Sequence, residues 1–527
     1  MSSSQVDYSL YLVSGRALLP PGKLFLTALE EAIQGGLTVV QIREKDVETS
    51  DFLQIATASK SLCDKYNIPL IVNDRIDIAL AVNANGVHLG QTDMPVSIAR
   101  QLLPPGTVVG VSCNTVEQVR RAVKDGADYV GIGAIWPTTT KKLTSPIIGV
   151  RGVGPMLDVL AGTGVKAVGI GGIKTSNLLR TLYGSVSQTG AALDGVAVVS
   201  EIMASPLPME TAQKMRDIVR GFKAGLCALM SGPRPGLWAN PDAESIVEGV
   251  CKLVQEVRKS GPLIHQITNT VVATQSANVT LALGASPIMA TEAREMEDLA
   301  RISGALLVNI GTFTSSVKAG ILSAGHFANL NRKPIVFDPV GVGATAFRKE
   351  TVKELLDAFQ VSVIKGNAGE LSALAGSTEA TSRGVDSTGG FHNPISFVRA
   401  LANRERSVVV LTGEVDYVSD GDRVVALRNG HNYFGQITGS GCILGSAIAT
   451  YCAAAAATLD ADQLSAGYKL VDGDMFLGAI TGVLVLTIAG ERAAETSTPG
   501  SFLATLMDRL WYITPANVRA HANLEVY

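Results

Sequence analysis

The chain is short of net charge, of aromatics and of paired cysteines, and each shortage removes a class of function. Lysine and arginine (44) nearly balance aspartate and glutamate (47), leaving −3 over 527 residues. That balance gives no electrostatic case for a nucleic acid partner. Six cysteines, at 63, 113, 227, 251, 442 and 452, form no CxxC pair and no zinc spacing. They read as reduced thiols of an intracellular protein without structural zinc. The start, Met1-Ser2-Ser3-Ser4-Gln5-Val6-Asp7, lacks the basic and apolar regions of a signal peptide, so the cytoplasm is expected. Aromatics are only 5%, whereas 46% of residues are apolar and 54 are glycine, which suits close-packed α/β layers.

The length exceeds one hydrophobic core, since cores stop growing beyond roughly 250–300 residues, so two large domains are expected. One stretch, Gly439 to Leu459, carries no charge over about the length that spans a bilayer. Its glycine, alanine, serine and threonine transfer weakly into lipid, so a buried helix is expected and not a membrane span.

From residue 8 to about 200, apolar runs alternate with helical stretches. The runs are Leu10–Val13, Thr38–Ile42, Pro69–Val72, Gly86–Leu89, Val108–Ser112, Tyr129–Gly133, Val165–Ile170 and Gly195–Val199. Eight such strands predict a parallel (β/α)8 barrel with right-handed crossovers. Three prolines and two glycines then crowd Met230 to Pro241, marking a linker. A boundary near 235 gives domains 1–235 and 236–527. The second half opens on a helix, about Asp242 to Ser260, followed by strands Leu263–Ile267, Ala305–Asn309, Ile335–Asp338, Ser362–Lys365 and Val408–Leu411. Apolar helices after Gly439 and around Met475 to Gly490 would cover the sheet faces, giving a doubly wound, ribokinase-like α/β fold. No Walker A pattern appears in it.

Polar clusters follow the barrel strands, where such a fold presents its active site. They are Gln41-Ile42-Arg43-Glu44-Lys45, Asn73-Asp74-Arg75, His88-Leu89-Gly90-Gln91-Thr92-Asp93 and Pro137-Thr138-Thr139-Thr140-Lys141. Glycine-rich Gly169-Ile170-Gly171-Gly172-Ile173 and the run Val198-Val199-Ser200 supply amides and a hydroxyl for a phosphate after strands seven and eight. Asp74 and Asp93 are hard oxygen ligands of the kind Mg²⁺ prefers, and Arg43, Lys45 and Lys141 can neutralise a diphosphate. Taken in order, with Val111-Ser112, these clusters resemble thiamin phosphate synthase over about residues 8 to 205. The resemblance implies that Gln41, Arg43, Lys45, Asn73 and Lys141 hold a pyrimidine diphosphate, Asp74 and Asp93 its Mg²⁺, and Ser112 the reacting region. It places Thr138, Thr140, Gly172, Val199 and Ser200 at the phosphate of a thiazole. Asn114 stands where bacterial relatives often carry histidine.

In the second half, Ile437-Thr438-Gly439-Ser440-Gly441-Cys442 precedes a long apolar helix, whose N-terminus and amides suit a transferring phosphoryl group. Cys442 is expected there with a lowered thiol pKa. Asp338-Pro339-Val340-Gly341, Lys365-Gly366-Asn367-Ala368-Gly369-Glu370 and Leu411-Thr412-Gly413-Glu414 follow three strands and place carboxylates and a cation for a magnesium nucleotide. With Ile267-Thr268-Asn269 and Ser286-Pro287-Ile288-Met289, this half resembles hydroxyethylthiazole kinase over about residues 242 to 515. The resemblance implies Met289 and Gly439 at the thiazole, Lys365 and Thr412 at ATP, Asp338 and Glu370 near Mg²⁺, and Cys442 as the base that receives the hydroxyl proton. Relatives usually have arginine where Lys365 stands, and the wider ribokinase group has aspartate where Cys442 stands.

Together the two resemblances imply a bifunctional enzyme of thiamine biosynthesis whose kinase half makes the thiazole phosphate that the barrel consumes. The same folds acting on other substrates, or a ligand-binding regulator without catalysis, are the competing readings. Small-molecule substrates are expected, with neither nucleic acid nor membrane as partner. Relatives with a dimeric barrel and a trimeric kinase imply a homo-oligomer closing as a hexamer.

Overall fold

A computed structural model of the chain describes residues 6–45, 47–140, 145–187, 189–231, 242–377, 379, 381–383, 386–388, 390–458 and 470–527. They form two compact units that part between Ser231 and Gly232. The proline-rich segment expected as linker falls largely on residues 232–241, outside the described residues.

The first unit is a closed parallel barrel of β1 (Leu10–Val13), β2 (Val39–Ile42), β3 (Leu70–Asn73), β4 (Gly86–Leu89), β5 (Val108–Cys113), β6 (Tyr129–Ile132), β7 (Lys166–Ile170) and β8 (Gly195–Val198), with β8 pairing back to β1. Each strand is buried on both faces, so it reads as a continuous apolar run. Alternation still sorts the side chains. Val40, Ile42, Leu70, Val72, Val109 and Val111 pack outward under the helices. Tyr11, Val13, Val39, Ile71, Val108 and Tyr129 fill the lumen. The same alternation turns Gln41, Asn73, His88 and Ser112 inward. The lumen is crowded enough that a Cβ on Gly110 would sit 2.0 Å from the Tyr129 ring.

Local signals agree with this layout. In the helix Val116–Lys124, the Thr115 hydroxyl caps the Gln118 amide, Val119 and Ala122 are buried, and Arg121 and Lys124 occupy the last turn. Such a cap stabilises by about 1 kcal/mol, and basic residues suit the negative end of the dipole.

The second unit is a nine-stranded sheet: β9 (Leu263–Ile267), β10 (Ser286–Ile288), β11 (Ala305–Asn309), β12 (Ile335–Asp338), β13 (Val363–Asn367), β16 (Val408–Thr412), β17 (Asp416–Ser419), β18 (Val424–Leu427) and β19 (Leu524–Val526). A separate hairpin pairs β14 (Thr381–Arg383) with β15 (Asp386–Thr388). The sheet order is β10-β9-β11-β12-β13-β16-β17-β18-β19. Pairings from β10 through β16 are parallel, and those from β16 to β19 antiparallel. Alternation again divides the core: Ala305, Leu307 and Val336 join one layer, Leu306, Val308 and Phe337 the other.

The charge-free stretch is the helix Ser440–Ala457, which packs along Met475–Ala494. A Cβ on Gly482 would lie 2.6 Å from the Ile448 Cα, and one on Gly478 3.0 Å from the Cys452 Cα, so small residues let the two backbones close up. Both helices are long and apolar enough to cross a bilayer, yet 72% and 83% of their apolar windows are buried inside the unit. They are core helices, as expected for the first of them.

Candidate active sites

In the barrel, the polar clusters gather at the carboxyl ends of the strands. Ser14, fully buried after β1, takes the Arg43 amide at 2.8 Å and donates to the Arg43 carbonyl at 3.3 Å, which fixes the loop after β2. Asn73 ends β3, and Asp74 follows in the left-handed region at φ 61°, a conformation aspartate tolerates better than most residues. The Lys45 ammonium stands 3.5 Å from the Asp74 carboxylate. Burial, then the hydrogen-bonding closeness and negative charge of Asp93, push the Asp74 carboxyl up, and Lys45 offsets this only in part. Asp93 in turn accepts the Gly90 amide at 2.7 Å. Among the described residues, two carboxylates held together with one half-exposed lysine leave this cluster net negative.

On the opposite side, loops after β6 and β7 make a wall. The Ile135 and Trp136 amides donate to the Ile170 and Gly171 carbonyls, both at 3.0 Å. Gly172 adopts φ 66°, and a Cβ there would meet the Pro137 carbonyl at 2.4 Å, so only glycine fits. The Thr140 amide donates to the Thr138 hydroxyl at 3.3 Å. Val199 and Ser200 follow β8 directly. Lys141 lies outside the described residues. Asn114 donates its side-chain amide to the Gly133 carbonyl and takes the Gln118 side-chain oxygen on its backbone amide. It ties the loops after β5 and β6 together, a structural use for the position.

Sequence reading overlooked what lies beneath. Gln41 donates to the Tyr11 hydroxyl at 2.7 Å, Tyr11 meets the Tyr129 hydroxyl at 2.8 Å, and His88 joins Tyr129 to Ser112 with 2.9 Å at each ring nitrogen. The signal was available: Tyr11, His88 and Tyr129 stand at lumen positions of otherwise aliphatic strands.

In the second unit, Asp338, at the end of β12, is fully buried and takes Lys365 on one oxygen at 3.0 Å and the Asn309 amide on the other at 2.7 Å. Lys365 also donates to the Gly441 carbonyl at 2.9 Å. Asn309 accepts from Asn269 at 2.9 Å, and Asn269 donates to the Cys442 Sγ at 3.3 Å. The bonds close a ring from Cys442 through Asn269, Asn309, Asp338 and Lys365 to Gly441. Burial draws the Lys365 ammonium down, but Asp338, Glu370 and Cys442 outweigh it and the lysine is held above its usual range. Glu370 receives the Gly341 and Asn367 amides, each at 3.0 Å, while burial and Asp338 push its carboxyl up.

One expectation is corrected here. The Cys442 thiol is raised, not lowered: burial comes first and the Asp338 charge second, and both exceed the help from Lys365 and the asparagine amides. The helix N-terminus acts on a group already removed from water beside an anion.

Gly439, at φ 85°, lies so close to the helix after β9 that a Cβ would fall 2.1 Å from Val272. Thr412 ends β16 opposite Asn367. Met289 follows β10, beside Ala290, whose carbonyl accepts from His265 at 2.9 Å. Asn269 and Asn309 were not among the expected site residues, although an asparagine closing an aliphatic strand was a readable signal. Among the described residues no group of three or more His, Cys, Asp or Glu could hold a metal by itself. Paired carboxylates remain a fit for Mg²⁺, which keeps waters and takes its other oxygens from substrate phosphates.

A (β/α)8 barrel with a carboxylate pair, joined in sequence to a ribokinase-like layered unit with a buried Asp–Lys ring, defines a two-domain transferase. The thiamine monophosphate synthase family matches residues 10–202, and the hydroxyethylthiazole kinase family residues 254–516. A Schizosaccharomyces pombe protein described as "Probable thiamine biosynthetic bifunctional enzyme" is 36% identical over 98% of this chain and 97% of its own. The Saccharomyces cerevisiae thiamine biosynthetic bifunctional enzyme is also 36% identical, with the same coverage. A hydroxyethylthiazole kinase of Thermoanaerobacter is 38% identical over 52% of this chain and 99% of its own. The chain belongs to the family of thiamine biosynthetic bifunctional enzymes.

Proposed function

We propose that the second unit phosphorylates 4-methyl-5-(2-hydroxyethyl)thiazole with ATP, and that the barrel joins the resulting thiazole phosphate to 4-amino-2-methyl-5-hydroxymethylpyrimidine diphosphate, releasing diphosphate and thiamin phosphate. The observation that carries the barrel reading is the Asp74–Asp93 pair beside Lys45, in which burial and the neighbouring Asp93 push the Asp74 carboxyl up. Mg²⁺ held by Asp74 and Asp93 would supply positive charge to the diphosphate leaving group. Around it, Gln41, Arg43, Lys45, Asn73 and Lys141 hold the pyrimidine diphosphate. Thr138, Thr140, Gly172, Val199 and Ser200 hold the thiazole phosphate. Ser112 faces the reacting carbon, and no protein nucleophile is needed.

In the kinase unit, Met289 and Gly439 receive the thiazole, Lys365 and Thr412 serve ATP, and Asp338 and Glu370 fit a second Mg²⁺. Cys442 takes the proton of the substrate hydroxyl. A raised thiol holds its own proton more firmly, so the thiolate that can act as base becomes more abundant, and the kinase rate climbs, as the medium becomes more alkaline. Positioning and charge stabilisation supply most of the remaining catalysis.

The protein is read as cytoplasmic and as a hexamer of D₃ symmetry, combining two-fold barrel and three-fold kinase contacts. Light scattering at monomer mass would exclude the hexamer. For the activity, the protein is incubated with hydroxyethylthiazole, ATP, Mg²⁺ and the pyrimidine diphosphate, and thiamin phosphate is sought by mass. Omission of ATP should stop product unless thiazole phosphate is added. Absence of product with every component present would refute the reading.

A further inference from the structure

We infer that Gln266, bonded to Ser446 beneath the kinase site, is a positioning residue that sets the register of the helix Ser440–Ala457 and so brings the Cys442 Sγ onto Asn269. The inference rests on reading Cys442 as the group that takes the substrate proton. Its basis is a pair of rungs between β9, with the loop after it, and this helix. At the mouth, Asn269 donates to the Cys442 Sγ at 3.3 Å; deeper in, the Ser446 hydroxyl donates to the Gln266 side-chain oxygen at 2.8 Å. Ser446 follows Cys442 by four residues, so both lie on one side of the helix, about 6 Å apart along it. Gln266 also donates to the Thr280 hydroxyl at 2.8 Å, and Thr280 to the Ser276 carbonyl at 2.9 Å, which ties the seam to the helix Ala273–Leu283. Gln266, Thr280 and Ser446 are all buried.

The layer around them is aliphatic, with Ile264, Val279, Leu283, Ile443, Ala447 and Ile448 in one buried cluster. Contacts of that kind are non-directional, and cores filled by apolar residues of compatible volume lose uniqueness before they lose stability. Turning the helix by one residue is a rotation of about 100°, which carries Cys442 off Asn269 altogether. Hydrogen bonds do have a direction. The Ser446–Gln266 bond exists in one register, and a shifted helix would leave the Gln266 oxygen buried without that donor. A polar residue in an apolar seam fixes register in this way, at some loss of stability.

Gln266→Met, Thr280→Val and Ser446→Ala together replace the seam by apolar groups of similar shape, so neither partner of Gln266 is left orphaned. The triple variant should melt at the temperature of the parent or above it, since removing both ends of a buried bond is close to neutral. Its kinase kcat should nonetheless fall about tenfold, with the KM for ATP unchanged. Iodoacetamide gives a second readout that needs no turnover. Cys63, Cys113, Cys251 and Cys452 are buried whereas Cys442 is partly exposed, and alkylation of the Cys442 peptide is followed by mass against pH. The Asn269 amide favours the thiolate, so once Cys442 leaves it the rise of alkylation should shift to higher pH. Ser446→Ala alone breaks the deeper rung and serves if the triple variant does not fold. Thr450→Val removes a buried hydroxyl that bonds within its own helix, to the Ser446 carbonyl at 2.9 Å, and should change neither readout. An alkylation profile unchanged in whichever seam variant folds overturns the inference. A shifted profile with kcat intact would keep the register and instead sink the reading of Cys442 as base.

Discussion

The two units place carboxylates at the same kind of position, just past the ends of parallel strands, but treat their charge in opposite ways. In the barrel, Asp74 and Asp93 face each other, and among the described residues Lys45 pairs with Asp74, half-exposed and 3.5 Å away. In the layered unit, Asp338 is shut away from water and already matched by Lys365 and Asn309. Among the described residues the barrel pair is thus held less closely than Asp338, which already has an ion pair and an amide in place. Electrostatic preorganisation of the second kind reduces reorganisation during reaction. On the function proposed above, the first kind would make affinity depend on a bound cation.

The contrast can be broken most forcefully at Asp338. Asp338→Ala strands a buried ammonium, and should cost the layered unit about 3–5 kcal/mol and abolish kinase turnover. Denaturant unfolding of the full chain, followed by a probe in that unit, gives the number. Asp74→Asn should do the reverse in the barrel: stability holds or rises because a repulsion is removed, while condensation falls by about a hundredfold or more. A parallel loss of stability would erase the distinction.

A smaller effect is expected at the thiol. Cys442→Ala should lower kinase turnover by about a hundredfold, the lower end of the usual range for a general base. Cys442→Asp should retain activity and flatten the rise of rate with pH that a raised thiol imposes. If neither substitution alters the rate or its pH profile, Cys442 is not the base.

The mildest test concerns Asp416, buried at the start of β17, whose carboxyl burial raises to about 7 despite the Gly413 amide donating to it at 3.0 Å. A carboxyl that is higher in the folded state favours folding while protonated, so stability is lost as pH rises from about 4 to about 7. Asp416→Asn should remove that slope, seen as a Tm difference from the parent that widens between those pH values. A constant difference would mean that the carboxyl does not titrate there.

Much of the scaffold could be read from the chain. The eight barrel strands lie within a residue or two of the apolar runs, because strands buried on both faces leave long aliphatic signatures. The antiparallel strands β17 to β19 and the edge strand β10 were missed. Yet Asp420-Gly421 between two short apolar runs is itself a hairpin signal, and only the three-residue edges offer little pattern to detect. For the sites, the residues that follow strands were legible as polar clusters. Of those that support them from within, Tyr11 and Tyr129 were absorbed into aliphatic runs, and His88 was read only as part of the polar cluster that ends its strand. Asn269 and Asn309 escaped because asparagine after a strand also serves as an ordinary turn residue.

The close-fitted helices Ser440–Ala457 and Met475–Ala494 have a further consequence. When the layered unit opens on heating, it releases two long, largely apolar surfaces at once, and neighbouring molecules are as able to cover them as the parent chain. Precipitation should then outrun refolding, so the lifetime of the kinase in warm solution is set by how fast this pair first separates and by how concentrated the protein is.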